Sequence, residues 1–143
     1  MNATIANLIK GKHKPFTISS GDTVYNALKS MAEKDIGFLL VVDGSAMVGV
    51  VSERDYARKV DLLDRDSRKT LVRDIMTREV ISIKTEQTND EAMALMTENH
   101  IRHLPVLKAG KLIAVISMGD VVKACIRKQK ETIDFLEDMA LDK

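Results

Sequence analysis

Two regimes of apolar and polar spacing run along this chain, and each occurs twice. Val24, Ala27, Leu28, Met31 and Ala32 recur at helical spacing and predict an amphipathic helix. Ala92, Leu95 and Met96 repeat that stripe. Ahead of them, Thr88-Asn89-Asp90-Glu91 reads as a capping box in which Thr88 and Glu91 each satisfy a free backbone N–H. Two short apolar runs follow each helix: Phe38–Val42 with Met47–Val51, then His103–Leu107 with Leu112–Ile116. Asp43-Gly44 and Ala109-Gly110 mark the tight turns between them. A strand is expected before each helix, at Phe16–Ser19 and Val80–Ile83, and a last helix begins at Ser52 and at Ser117. The order is β-α-β-β-α, twice, which places the chain in the α/β class, of the mixed α+β kind.

The two halves are copies. Shifted by 65 residues, Phe16–Val60 falls on Ile81–Cys125 without a gap, and eleven of the forty-five positions are identical. Among them are Thr23 on Thr88, Met31 on Met96, Ile36 on Ile101, Ser52 on Ser117 and Asp55 on Asp120. One supersecondary unit used twice buries apolar faces that neither copy covers alone. Sequence order then suggests repeat 1 with its N-terminal segment over 1–60, a polar linker over 61–73, repeat 2 over 74–127 and a helical extension over 128–143. The last helix is expected from about Asp120 to Leu141, with Val122, Ile126, Ile133, Leu136 and Ala140 spaced 4, 7, 3 and 4 apart and Gln129 at the missing place. Val121, Cys125, Phe135 and Met139 widen the stripe. Such a seam either folds back on its own domain or pairs with a second copy.

Composition narrows the function classes. Of 143 residues, 45% are hydrophobic and 30% charged, an ordinary globular balance with enough apolar mass for a core. The net charge of +1 and the scarcity of aromatics, with no Trp, speak against nucleic-acid binding. Met1–Lys14 carries no long apolar run, so neither a signal peptide nor a membrane span is read there. The single cysteine, Cys125, fits a reducing compartment, and we expect a cytoplasmic protein. Cys125 lies in an apolar stripe and reads as core. His13 and His100 read as surface residues, and no metal-ligand spacing appears. No nucleophile elbow and no glycine-rich phosphate loop is present, so no catalytic residue is assigned and no enzyme is expected.

Four segments together resemble the CBS domain, named after cystathionine β-synthase, over about Thr4–Arg127. Gly49-Val50-Val51-Ser52-Glu53-Arg54-Asp55 is similar to the family's strand-to-helix motif, small-x-x-Ser/Thr-x-x-Asp, and Ala114–Asp120 is its second copy. Arg73-Asp74-Ile75-Met76-Thr77 resembles the opening of a second unit, and Ile101–Val106 the strand that brings basic groups to a ligand phosphate. Ser52–Lys59 is similar to stand-alone bacterial pairs. The resemblance implies two repeats related by pseudo-two-fold symmetry, with adenine-nucleotide clefts between them. One cleft would use Phe16, Ile36, Gly37, Arg102, Ser117, Gly119 and Asp120; the other Ile81, Ile101, Ser52, Arg54, Asp55, Arg58 and Lys59. In that pattern Phe16, Ile36, Ile81 and Ile101 line the base, Arg102 faces phosphate, and Gly37 stands where a side chain would crowd an adenine.

The chemistry suits such a ligand. A carboxylate accepts from both hydroxyls of a ribose, and charge-assisted bonds are the stronger kind. A helix start offers free N–H groups to a phosphate, while Ser52 and Ser117 either cap the helix or reach a ligand oxygen. Arg54, Arg58 and Lys59 form either a solvated face or a phosphate clamp; their counterparts are Gly119, Lys123 and Ala124, so the two clefts should differ in charge. Glycine at 119 would also admit a close backbone approach. The expected function is an adenine-nucleotide sensor for AMP, ADP, ATP or NAD, with S-adenosylmethionine sharing the same adenosine. No cofactor is required, a homodimer is expected, and the regulated partner protein is not specified by the sequence. The alternative is a ligand-free structural dimerisation module.

Overall fold

The computed structural model describes residues 3–141. In chain order these form α1 (Ile5–Leu8), β1 (Thr17–Ile18), α2 (Val24–Lys34), β2 (Phe38–Asp43), β3 (Ala46–Ser52) and α3 (Glu53–Tyr56), which runs on as a π-helical turn over Ala57–Asp61. Then come α4 (Val72–Ile75), β4 (Ile83–Lys84), α5 (Asn89–Glu98), β5 (His103–Lys108), β6 (Lys111–Ser117) and α6 (Met118–Leu141). There are two three-stranded sheets, ordered β1-β2-β3 and β4-β5-β6. In each, the short first strand runs parallel to the second, Thr17 opposite Leu40 and Ile83 opposite Val106, so a helix must make the crossover. The mixed α/β order expected from the pattern is the one observed. The opening strands are shorter than the apolar runs, two residues each.

Packing divides the chain into two units. One holds Lys14–Val80 with Ala109–Leu112; the other holds the chain up to His13, Ile81–Lys108 and the chain from Ile113 onward. In the first unit, Val24, Ala27 and Met31 on the predicted stripe of α2 are buried with Leu39, Val41 and Val51 of the sheet. In the second, Ala92, Met96, Leu104, Val106 and Ile116 make the equivalent core. Thr23 caps α2 by accepting from the Asn26 N–H at 3.1 Å. Thr88 caps α5 likewise, accepting from Glu91 at 3.2 Å. The capping box at Thr88 is only half formed, because the Glu91 carboxylate accepts instead from Gln87 Nε2 at 2.9 Å.

The two packing units cut across the order of the chain. Ile5 of α1 is fully buried in the core of the second repeat, whereas Val72, Ile75 and Met76 around α4 are buried in that of the first. The bonding explains the assignment. Val72 and Arg73 donate to the carbonyls of Asp22 and Ser20, and Val24 donates to Thr70. Ile5 and Ala6 donate to Gln87 and Thr85, and Asn89 donates to Ala3, so the same three bonds recur at equivalent places. Each leading turn thus supplies an acceptor for an open helix N-terminus. Within 61–73, the carbonyls of Ser67 and Thr70 accept from the first N–H groups of α2.

The last helix begins two residues before the expected Asp120 and reaches Leu141. Val121 is buried, and Cys125 packs against its own unit, in keeping with its apolar stripe. From Ile126 to Leu141 every residue is exposed. Among the described residues no helix is long and apolar enough to cross a membrane.

Candidate functional site

Each β-β-α unit turns from its last strand into a helix at the Ser-x-x-Asp sequence. At the first corner the Ser52 backbone N–H donates to Asp55 Oδ2 at 3.0 Å, the Ser52 hydroxyl donates to the same oxygen at 3.1 Å, and the Asp55 N–H donates back to Ser52 Oγ at 3.1 Å. At the second, Ser117 N–H donates to Asp120 Oδ2 at 2.8 Å and Asp120 N–H to Ser117 Oγ at 3.1 Å. These are capping boxes, which account for the spacing. They also fix each carboxylate by one oxygen, and a carboxylate has about four acceptor positions. The cap therefore aims the group without exhausting it.

The residue just ahead of β2, and of β5, closes the corner in the same way. Glu53 N–H donates to Gly37 O at 3.0 Å, and Met118 N–H to Arg102 O at 2.8 Å. Gly37 and Arg102 are thus held at matching places beside the two corners. A Cβ at Gly37 would meet only Glu53 Oε1 at 3.5 Å, and one at Gly119 only Ser117 Oγ at 3.6 Å, so packing within the chain forces neither glycine. Gly49 is different: a Cβ there would lie 2.8 Å from the Thr77 carbonyl oxygen and 2.9 Å from Met76 Sδ. That close approach explains the small residue opening the first motif.

Within the first unit lie Ser52, Arg54, Asp55, Arg58 and Lys59, together with Phe16, Ile36 and Gly37. Arg54 and Arg58 are exposed, and Phe16 is 46% exposed with Lys34 Nζ 4.5 Å above its ring centre. Lys59 is engaged: its ammonium donates to Ile75 O at 2.8 Å and pairs with Asp55 Oδ1 at 3.2 Å. Within the second unit lie Arg102, Ser117, Gly119 and Asp120, together with Ile81 and Ile101, which pack half-buried on its core.

The second unit adds a residue that sequence reasoning missed. Lys12, from the segment after α1, donates to Val115 O at 2.9 Å and pairs with Asp120 Oδ2 at 2.5 Å. Its role copies that of Lys59, which bonds one backbone carbonyl and one motif carboxylate. Position 124, equivalent to Lys59, is alanine, so the cation missing from the helix arrives from the N-terminal segment. The charge contrast read from helix residues alone is narrowed accordingly. Arg102 and His103 complete a basic surround, and Lys12 and Arg102 act on His103 through space.

Burial works to raise the Asp120 carboxyl, but the bonds from Lys12 and Ser117 outweigh it and hold the group below its ordinary value. Such a group stabilises the fold above the ordinary carboxylate range, and that contribution disappears as pH falls through the lowered pKa. Burial also pushes the His103 imidazole down, with Asp120 opposing and Lys12 and Arg102 assisting. Its share of stability is present above the ordinary histidine value and is lost as pH falls through the depressed one. Replacing Lys12 by Gln should therefore move the Asp120 titration upward, as followed by NMR. An unchanged titration would mean that the ammonium does not govern this carboxylate.

The CBS domain family matches residues 9–61 and again 72–127. This chain belongs to the CBS domain family. The CBS pair is 39% identical to the mitochondrial CBS domain-containing protein CBSX3 of Arabidopsis thaliana, over 94% of this chain and 70% of that protein. Its fold is that of a protein with CBS domains from Burkholderia ambifaria, 52% identical with a TM-score of 0.79, covering 89% of this chain and 96% of the other. A structure of CBSX2 in complex with AMP aligns with a TM-score of 0.74 at 27% identity, covering 88% of this chain and 98% of that one. CBS pairs of this kind thus include at least one that holds an adenine nucleotide.

Proposed function

We propose that this CBS pair is a regulatory module that binds an adenine nucleotide and performs no chemistry of its own. The observation that carries the reading is the pair of matching corners, each with a carboxylate fixed at a helix start by its own cap. Asp55 and Asp120 accept the ribose hydroxyls; Ser52 and Ser117 hold them in place. Arg54 and Arg58 at one corner, Arg102 at the other, face the anionic end. The AMP complex of a relative supports the ligand class. AMP, ADP, ATP, NAD and S-adenosylmethionine all carry the adenosine that these groups address. We read the module as a cytoplasmic homodimer that passes the ligand state to a partner protein.

Calorimetry with those five ligands tests the proposal. Binding is expected between micromolar and millimolar, about −8 to −4 kcal/mol. It should be accompanied by a rise in melting temperature, since a ligand of the folded state stabilises it by mass action. Absence of heat and of any melting shift with all five would leave the dimerisation module as the better account.

A further inference from the structure

The distal part of α6 carries an apolar seam that is exposed. Ile126, Ile133 and Leu136 are each more than half exposed. The seam formed by Val122, Ile126, Gln129, Ile133, Leu136 and Ala140 has alternating spacings of four and three. It also reads the same in both directions about residue 131. Val122 and Ala140 lie nine residues to either side, Ile126 and Leu136 five, Gln129 and Ile133 two. In an antiparallel helix pair, an a position of one helix faces a d position of the other. This seam meets that condition in every layer, with the single polar residue, Gln129, opposite Ile133.

The charges carry the same symmetry with opposite sign. Lys123, Arg127, Lys128 and Lys130 precede residue 131, while Glu131, Asp134, Glu137 and Asp138 lie at that position and beyond it. Two such helices side by side in parallel would oppose like with like. In antiparallel they set the basic block of each against the acidic block of the other, and Lys123 flanks the seam opposite Glu137 of the second copy, twice per pair. Flanking charges of this kind choose orientation in helix pairs.

We infer that two copies of this chain associate through α6 as an antiparallel pair centred on residue 131, with Ile126 of each copy against Leu136 of the other. This rests on the homodimer reading above and gives it a surface and an orientation. The contact is isologous and therefore closes at two copies. The seam from Val122 to Ala140 spans about 27 Å.

Sedimentation of the full chain tests the surface. Ile133→Asp puts a charge into a central layer and should weaken association by at least about a hundredfold. Its melting curve should match that of the parent at monomeric concentration, because the side chain is exposed. Lys123→Glu and Glu137→Lys should each weaken association about tenfold, and the double variant should restore it. In a parallel pair these residues stand about 21 Å apart along the axis and no rescue would occur. For orientation, Leu141→Cys in a Cys125→Ala background carries a spin label. Antiparallel pairing predicts a separation of about 30 Å and parallel pairing about 10 Å. A short distance or failed rescue overturns the antiparallel arrangement. A dimer that survives Ile133→Asp overturns the α6 surface while leaving the homodimer reading intact. A parent protein that stays monomeric overturns both.

Discussion

Gly49→Val should lower the stability of the chain by about 3 kcal/mol and its melting temperature by roughly 10 °C. The reason is local and rigid. A Cβ at 49 meets the Thr77 carbonyl oxygen at 2.8 Å. That oxygen cannot retreat freely, because it accepts the Val50 N–H at 2.9 Å while Thr77 N–H donates to Val50 O at 2.8 Å. Met76 Sδ, at 2.9 Å, is the flexible end of a side chain but is itself buried. Relief therefore requires β3 to part from the segment after α4. Gly119→Ala is the control of opposite sign. Its new methyl finds ordinary contact with Ser117 Oγ at 3.6 Å inside α6, so it should stabilise the helix by up to about 1 kcal/mol. Thermal melts of both variants decide the matter; equal and small effects would mean that the Val50–Thr77 bridge yields easily.

These two glycines also show what the sequence makes legible. The shift of 65 residues is enough to find the repeat, the β-α-β-β-α order, the apolar stripes and the Ser-x-x-Asp corners, because all of these are local patterns. The reassignment of the leading turns is not local. Ile5–Leu8 and Val72–Ile75 are equivalent at a shift of 67, share no identical residue, and each packs in the unit of the repeat that does not follow it in the chain. Their equivalence shows only in backbone bonds, which any residue but proline can donate. The bonding of 61–73 is hidden for a related reason: that segment works through the carbonyls of Ser67 and Thr70. Lys12 escapes a sequence reading because its partner lies 108 residues away. The one hint is negative. Position 124 is alanine where the first repeat has Lys59, which leaves a carboxylate in need of a cation.

Removing either carboxylate should affect a nucleoside and its nucleotides unequally, and the inequality identifies the role of the group. Asp55→Ala and Asp120→Ala each delete a charged acceptor, a loss of about 1.5–3 kcal/mol or roughly ten- to a hundredfold in affinity at that repeat's own corner. Part of the damage is to the cap, so Ser52→Ala and Ser117→Ala serve as references. They should cost about 1 kcal/mol of stability while leaving the ribose acceptor in place. Each Asp variant also leaves a lysine without its carboxylate. Lys59 keeps only its bond to Ile75 O when Asp55 is gone, and Lys12 only its bond to Val115 O when Asp120 is gone. Both side chains are partly exposed, so either ammonium becomes available to an anionic ligand. Asp55→Ala and Asp120→Ala should therefore each weaken adenosine more than AMP or ATP. Arg54→Ala should penalise ATP more than AMP, and the penalty should shrink at high salt because the side chain is exposed. Titration of the parent and the five variants with adenosine, AMP and ATP resolves these outcomes. If both Asp variants bind like the parent, the carboxylates serve only as helix caps and the nucleotide reading fails. If Asp120→Ala weakens all three ligands equally, the ribose role stands and Lys12 is confined to neutralising its carboxylate.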